Sequence, residues 1–405
     1  MNVPDRTDIV IAGAGMAGLA LAVALKDAFE QHIDVVVCDP SLGKRPVTNR
    51  TSAIAAGSRR MLETLGVWPS IESRAQPIQR MIITDSNSND VVRPAFLNFE
   101  APEPDGPYAH MVFNGELEAA LEARALGLGV QIIATQVTGF ETTPDLVSAQ
   151  TPLGHMNAQL LVAADGLKSR LRDMAGIRSV DWSYPLAGIV ATIGHERPHE
   201  GVAYEHFLPE GPFAILPLSG NRSSIVWTTE LEQASEIIAL PEDKFCNEVE
   251  KRFGLQFGAL KILDAPGMWP LSFHIARRFA SNRVALIGDA AHVIHPLAGQ
   301  GINLGFRDVA ALSEAIAENI RLGLDAGSPR VTGAYESARR FDAISMAAGM
   351  DTMNRLFTNS STILRVVRDI GMGLVDRLPE LKWQLIREAS GLAGAVPRLM
   401  RGELL

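Results

Sequence analysis

Two apolar patterns alternate along the chain and predict different kinds of structure. Short runs with no polar alternation, Asp8-Ile9-Val10-Ile11-Ala12, Ile33 to Cys38, Leu160 to Ala164 and Arg283 to Ile287, read as strands buried on both faces. The first is stopped by Gly13 and followed by an apolar helix from Leu19 to Phe29, and a helix is predicted over roughly Gly301 to Arg321. Buried strands alternating with helices predict a parallel sheet. A second region differs. Leu186 to His195, Val202 to Leu208, Phe213 to Leu218 and Ser223 to Thr229 are strand-like runs broken by Pro and Gly, which suggests an antiparallel sheet. From Leu356 to Leu405 apolar residues recur at mixed helical spacing among Arg365, Arg368, Arg377, Lys382, Arg387, Arg398 and Arg401. Packing helices with solvated basic faces account for that stretch better than a membrane- or partner-facing surface does.

A length of 405 residues favours two joined domains over one. A net charge of −9 argues against non-specific nucleic-acid binding, because phosphates attract the opposite sign. Cys38 and Cys246 have neither metal-ligand nor Cys-x-x-Cys spacing, so no metal site is expected, and a reducing cytoplasm fits. Ile9 to Leu25 is nearly all apolar, as a signal peptide or short span would be. It lacks a positive flank and a cleavage site, and it is slightly short for the ~20 residues of a spanning helix.

Its glycines have a better explanation. Gly13-Ala14-Gly15-Met16-Ala17-Gly18 is G-x-G-x-x-G between a strand and a helix. There Gly13 permits the turn, Gly15 admits a pyrophosphate close to the backbone, and Gly18 lets helix and strand pack. Asp39 ends the next strand, about twenty residues on, where this arrangement places an acceptor for ribose hydroxyls. An acid there favours FAD or NAD over NADP, and the segment alone does not choose between the two. Asp165-Gly166 follows a second buried strand; alone it is an ordinary turn signal. Gly288-Asp289 ends a third strand and leads through His295-Pro296 into Gly299-Gln300-Gly301-Ile302-Asn303 at the start of a helix. Backbone amides at such an N-terminus suit an electron-rich ring that gains negative charge on reduction.

In order and spacing these three motifs resemble those of the flavoprotein aromatic hydroxylases built like p-hydroxybenzoate hydroxylase. The segment His295 to Asp308, with Arg50 to Ile54, Leu65 to Trp68 and Gly211 to Leu218, resembles the ubiquinone-biosynthesis branch in particular. The resemblance implies an α/β fold. Its Rossmann-like FAD-binding domain, of glutathione-reductase type and p-hydroxybenzoate hydroxylase subclass, would comprise 1–75, 108–180 and 275–330. An inserted, mostly antiparallel β-sheet substrate domain would comprise 76–107 and 181–274, with C-terminal helices over 331–405. It further implies FAD pyrophosphate at Gly13, Gly15 and Gly18 and adenosine ribose at Asp39, with Arg50 reaching toward the cofactor. A backbone contact to adenine is expected at Val137, and an FAD and NAD(P)H role at Asp165. Gly288 and Asp289 would hold the flavin side chain, with Pro296 and Gly299 to Asn303 bordering the ring. One departure stands out: many relatives carry an Arg before the helix that starts near Asn114, where this chain reads Phe113-Asn114-Gly115. Looser FAD binding is the expected consequence.

The implied reaction hydroxylates an aromatic, prenylated phenol with NAD(P)H and O₂ through a C4a-hydroperoxyflavin. The protein would orient the ring and exclude water while the cofactor carries the chemistry. No dedicated acid or base stands out. His292 and His295 suit structural roles, having no assignable carboxylate partner. Tyr204 and His206, which alternate onto one face of a strand, and Leu216 are pocket candidates together with Pro296. Phe207, Phe213 and Ile215 are expected to make the pocket apolar. The alternatives are another FAD-dependent aromatic hydroxylase and a non-catalytic or FAD-poor scaffold of a ubiquinone-biosynthesis complex. The Trp-x-Trp-x-Ile-Pro segment of halogenases of this fold is missing. Peripheral contact with the inner membrane, assembly with such a complex and homo-oligomerisation are left open.

Overall fold

The computed structural model of the chain describes residues 3–44, 49–86, 90, 93, 95, 97–100, 106–293, 301–357, 390–392 and 394–405, with side chains of the last long helix described through 345. The unbroken apolar runs form the central sheet. Its strand order is Ala280–Ser281, Val284–Leu286, Leu160–Ala163, Ile9–Ala12, Val35–Cys38, Gln131–Ile133. All pairings are parallel except the short antiparallel edge Ala280–Ser281. Ile9, Val10, Ile11 and Val162 have no exposed surface, as a sheet covered on both faces requires. The helices Met16–Phe29, Asn114–Gly127 and Gly301–Arg321 pack with it into the main core. The apolar N-terminal run is thus a buried strand and helix. Among the described residues no helix is long and apolar enough to cross a membrane.

The Pro- and Gly-broken runs form a separate nine-stranded sheet. Its centre is the long strand Ser179–His195 with Val202–Leu208, Gly211–Leu218, Arg222–Glu230 and Gly267–Ala276, all paired antiparallel where they meet. Arg80–Asp85 joins parallel to Val202–Leu208, and Leu97–Glu100 adds outside it. Each face of this sheet has its own cover. Ile189, Phe213, Ile215, Ile225 and Trp227 point to the helices Leu231–Ile238 and Glu242–Phe253, where Phe245, Val249 and Phe253 close a second core. The opposite face carries Ala214, Leu216 and Val226. It meets a small sheet of Thr51–Ala55, Ala109–Phe113 and Gln76–Ile78 in a third, smaller cluster. What that small sheet leaves uncovered is the wall of the cleft described next.

Of the C-terminal basic stretch, the segment holding Arg365, Arg368, Arg377, Lys382 and Arg387 lies outside the described residues. Arg401 is paired with Glu403, and the backbone of Arg398 donates to the Glu314 carboxylate at 3.0 Å.

Candidate active site

Three glycines shape the first loop, each for a different reason. Gly13 has φ +120°, and a Cβ there would lie 2.2 Å from the Ala164 carbonyl oxygen, so the loop touches the strand that ends before Asp165. A Cβ on Gly18 would lie 2.0 Å from the Gly13 carbonyl oxygen, which enforces close helix–strand packing. A Cβ on Gly15 would meet nothing within 4 Å, because Gly15 opens onto a cleft. The helix behind it has no acidic residue in its first turn and no side-chain cap, so its positive end is left for a ligand. Asp39 is fixed at the end of its strand. Its carboxylate accepts from the Ala14 N–H at 2.8 Å and from the Ser41 N–H at 2.8 Å.

The third motif packs directly on the first. Gly288 has φ +59°, and a Cβ there would touch Ala17 at 3.3 Å, while one on Gly305 would touch Gly288 Cα at 3.4 Å. Behind the turn lies a buried ionic cluster. The Asp308 carboxylate pairs with His292 Nε2 at 2.6 Å and accepts from the Gly288 N–H at 3.0 Å and Arg339 Nε at 2.9 Å. Burial opposes its charge, but His292 and Arg339 outweigh burial and hold the carboxyl below its ordinary value. His292 therefore has the carboxylate partner that its sequence context did not reveal, and its role is to brace the turn. Arg172, from the basic segment after Asp165-Gly166, is buried as well. It donates to Leu167 O at 3.0 Å, His274 Nε2 at 2.8 Å and Ala290 O at 3.3 Å, which joins the second motif, the nine-stranded sheet (the roof of the cleft below) and the third motif.

The cleft these parts enclose has a volume of about 620 Å³. Gly15, Met16, Ala17 and Gly18 line one end; Ala164, Gly166, Gly288, Asp289, Gly301, Ile302 and Gly305 continue it. The far wall is the roof-sheet face, with Gly188, Val190, Glu205, Pro212, Ala214, Leu216, Ser224, Val226 and Thr228. Arg50 and Trp269 stand together at its side, the guanidinium 5.3 Å from the ring centroid. Burial raises the Asp289 carboxyl, an effect that His292 and Arg50 partly offset. Burial alone pushes Glu205 up to about 8.

Some of the expected residues therefore meet, and others do not. Gly15, Gly18, Arg50, Gly288, Asp289, Gly301, Ile302 and Leu216 line one cleft. Gly13 and Asp39 shape the loop at its end without lining it, and Asp165 is exposed beside it, between lining residues Ala164 and Gly166. Val137 is buried in the main core rather than in the cleft wall. The Asn303 side chain is taken up by backbone. It donates to Ala53 O at 2.8 Å and accepts from the Ala55 N–H at 2.9 Å, tying the helix start to the Thr51–Ala55 strand. Pro296, Gly299, Gln300 and His295 lie outside the described residues.

The roof strand departs from expectation most. Tyr204 packs on the second core, and His206 is buried with Nδ1 2.7 Å from Thr84 Oγ1, so neither lines the cleft. Phe213 and Ile215 share that far side. Side chains alternate across a strand, so turning Tyr204 and His206 away aims Glu205 inward. Sequence reasoning missed Glu205. A lone carboxylate in an otherwise apolar and aromatic strand was the available signal. At the position of the missing Arg, Asn114 lines the cleft and its Oδ1 accepts from Ser52 Oγ at 2.8 Å. Among the described lining residues Arg50 supplies the positive charge.

A glycine loop on a parallel sheet, a helix N-terminus and an apolar roof over one cleft define a dinucleotide-dependent α/β oxidoreductase of the flavoprotein type. Residues 6–347 match the family described as FAD binding domain, and the chain belongs to that family of FAD-dependent monooxygenases. Among its relatives, the ubiquinone hydroxylase UbiL of Rhodospirillum rubrum is 40% identical over 405 residues, covering 98% of this chain and 92% of the relative. The 3-demethoxyubiquinol 3-hydroxylase of Escherichia coli is 32% identical, covering 95% of this chain and 99% of the relative. Among solved structures, p-nitrophenol 4-monooxygenase of Pseudomonas putida shares the fold with a TM-score of 0.78 at 20% identity, covering 96% of this chain and 100% of the other.

Proposed function

We propose that this monooxygenase hydroxylates the aromatic ring of a prenylated phenol on the way to ubiquinone, using NAD(P)H and O₂. The observation that carries the reading is one cleft running from the Gly15 loop to an apolar sheet face. Its nucleotide end and its ring-sized end belong to different sheets. The names of full-length relatives supply the substrate class.

The residues present fit FAD. The space a Gly15 Cβ would fill, beside an uncapped helix start, suits a pyrophosphate, and Asp39 suits the adenosine ribose. Asp289, which lines the cleft, suits a hydroxyl of the flavin side chain. The amides of Gly301 and Ile302 begin a helix with no acid in its first turn, which suits the electron-rich side of the ring. When bound, FAD accepts hydride from NAD(P)H and activates O₂. The protein's part is to hold the phenol against Val190, Leu216 and Val226, keep water out beneath the roof sheet, and manage the proton of the phenol. Arg50 is the cation beside the cleft mouth, next to Trp269, and suits the phosphates of a visiting nicotinamide nucleotide. Reducing, cytoplasmic surroundings fit the two free cysteines, with Cys38 buried and its thiol pushed up to about 12 by burial and the neighbouring Asp39.

The test is twofold. Purified protein should carry flavin absorbance and oxidise NAD(P)H faster when a prenylated phenol is added. A host lacking the protein should accumulate an under-hydroxylated quinone precursor, read by mass spectrometry, whose structure names the ring position. Unchanged quinone in the deletion strain refutes the pathway assignment.

A further inference from the structure

We propose that the Glu205 carboxylate takes the proton from the hydroxyl of the ring substrate and returns it after the ring is hydroxylated, which makes Glu205 a catalytic residue. The role rests on the ring-hydroxylating reading above.

Its position is the first argument. The sheet register places Glu205 opposite Ala214, Ala214 opposite Val226, and Val226 opposite Val190. All four line the cleft, so one carboxyl ends an otherwise apolar row that crosses the wall. The residue is half-buried in its strand, beside the cleft that it lines.

The second argument is what it lacks. Among the described residues the Glu205 carboxyl has no hydrogen bond and no ion pair. A carboxyl withdrawn from bulk water with no protein partner is costly, and native folds rarely leave one without a reason. Its neighbours on the strand are no substitute: His206 is bonded to Thr84, and Tyr204 faces the second core. Arg50, Glu118 and Asp289 are the other ionisable residues of the lining, and burial, not any of these charges, governs the shift of Glu205. The partner this carboxyl can find is one that enters the cleft, and a hydroxyl donor is the group it would bind.

The third argument is matching. A phenol ionises near 10, and an ordinary glutamate near 4.3 is too weak a base by roughly 10⁵–10⁶. A carboxyl raised to about 8 reduces that gap to roughly a hundredfold, in the range where general bases are effective.

The step balances. The phenol proton passes to a Glu205 carboxylate oxygen as the electron pair of the phenol oxygen moves into the ring. The ring carbon then bonds to one oxygen atom of O₂, transferred as hydroxyl. This leaves a ring ketone with hydrogen and hydroxyl on the same carbon. Loss of that hydrogen as a proton restores aromaticity while Glu205 returns its own proton to the ketone oxygen. NAD(P)H supplies two electrons and one hydrogen, and solution supplies one proton; the O–O bond breaks as the hydroxyl is transferred, and the second oxygen atom leaves as water with the released ring proton.

The experiment compares wild type, Glu205→Gln and Glu205→Asp as holoenzymes, with ortho-prenylphenol and its methyl ether as probes. Flavin content, NAD(P)H oxidation, hydroxylated product and hydrogen peroxide are followed from pH 6 to 9.5. Wild type should form more product per NAD(P)H as pH rises through about 8, where Glu205 ionises. Glu205→Gln should keep its flavin, lose about a hundredfold or more of product formation, divert NAD(P)H to peroxide, and lose that pH rise. Glu205→Asp should recover part of the loss, and the methyl ether, which has no proton to give, should not distinguish the three proteins. Without substrate, the infrared band of a neutral carboxylic acid should fade through about pH 8 in wild type and be missing from Glu205→Gln. Wild-type coupling and pH profile in Glu205→Gln overturn the proposal, as does loss of flavin from both variants, which would make Glu205 a support of the fold. A flavin-loaded wild type that hydroxylates no phenol overturns the functional reading and this role with it; an active wild type with an indifferent Glu205→Gln overturns this role alone.

Discussion

Gly15 and Gly18 are three residues apart in one loop, yet replacing them should have opposite consequences. Gly15 has φ −70° and ψ 177°, extended backbone that any residue adopts, and a side chain there would meet nothing within 4 Å. In Gly15→Val without cofactor, two small effects oppose each other. A poorer cap at the helix start costs ~0.5–1 kcal/mol, and a less flexible unfolded chain restores ~0.4–1 kcal/mol. The flavin-free protein should therefore unfold within about 1 kcal/mol of wild type in a denaturant titration. The valine nevertheless fills the space assigned to the pyrophosphate. Overpacking of ~1–3 kcal/mol corresponds to a loss of flavin affinity of about 5- to 150-fold, measured by fluorescence on reconstitution. Gly18→Ala behaves differently, because its Cβ would lie 2.0 Å from the Gly13 carbonyl oxygen and 3.2 Å from Ile11 Cγ2, one of them backbone that cannot move aside. Its loss of ~1–3 kcal/mol or more should appear in the flavin-free protein itself. Wild-type flavin affinity in Gly15→Val would mean that the cofactor does not approach this loop, and the whole assignment of the cleft would fail.

The buried cluster behind Gly288 should be a stability element. Asp308→Asn leaves His292 without its carboxylate and Arg339 with Asp342 alone, and should cost ~3 kcal/mol by denaturant titration at pH 7. Because the Asp308 carboxyl is held below its ordinary value in the folded protein, its contribution is fully present above the unfolded value near 3.8 and is lost as pH falls below that toward the folded value. Acid titration should accordingly separate wild type from the variant at pH 7 and bring them together only well below pH 4. Tyr204→Phe, altering a side chain on the far face of the roof, should leave kcat/KM for a prenylated phenol unchanged. Leu216→Trp, on the near face, should lower it by ~10-fold or more while flavin content stays at the wild-type level.

The glycine loops were legible because turn chemistry is local. A strand, a glycine at positive φ and a helix start lie within a dozen or so residues, and each glycine's task follows from where its missing Cβ would go. The two architectures were legible for a related reason, since unbroken apolar runs and Pro-broken ones imply different sheets. Asn303 shows that a motif residue at a helix start can also serve the fold, since its side-chain amide is spent on Ala53 and Ala55, which lie far away in the sequence. His292 and Asp308 are 16 residues apart, the latter about two turns into its helix, and no sequence spacing announces such a contact.

Parity on the roof strand was the hardest feature to read, and the reason is physical. A strand with one wet face declares its inner side through alternation; Val202–Leu208 has both faces covered, one by helices and one by a cleft, so polarity no longer distinguishes them. The phenol and imidazole of Tyr204 and His206 drew attention because such groups often do chemistry, yet Tyr204 packs on the second core and His206 Nδ1 meets the Thr84 hydroxyl. A carboxyl is different: burying it without a partner is so unfavourable that its presence in such a strand is itself information. Cost of burial, more than catalytic familiarity, marks the parity of the strand, because Glu205 lies on the side of the sheet that faces the cleft.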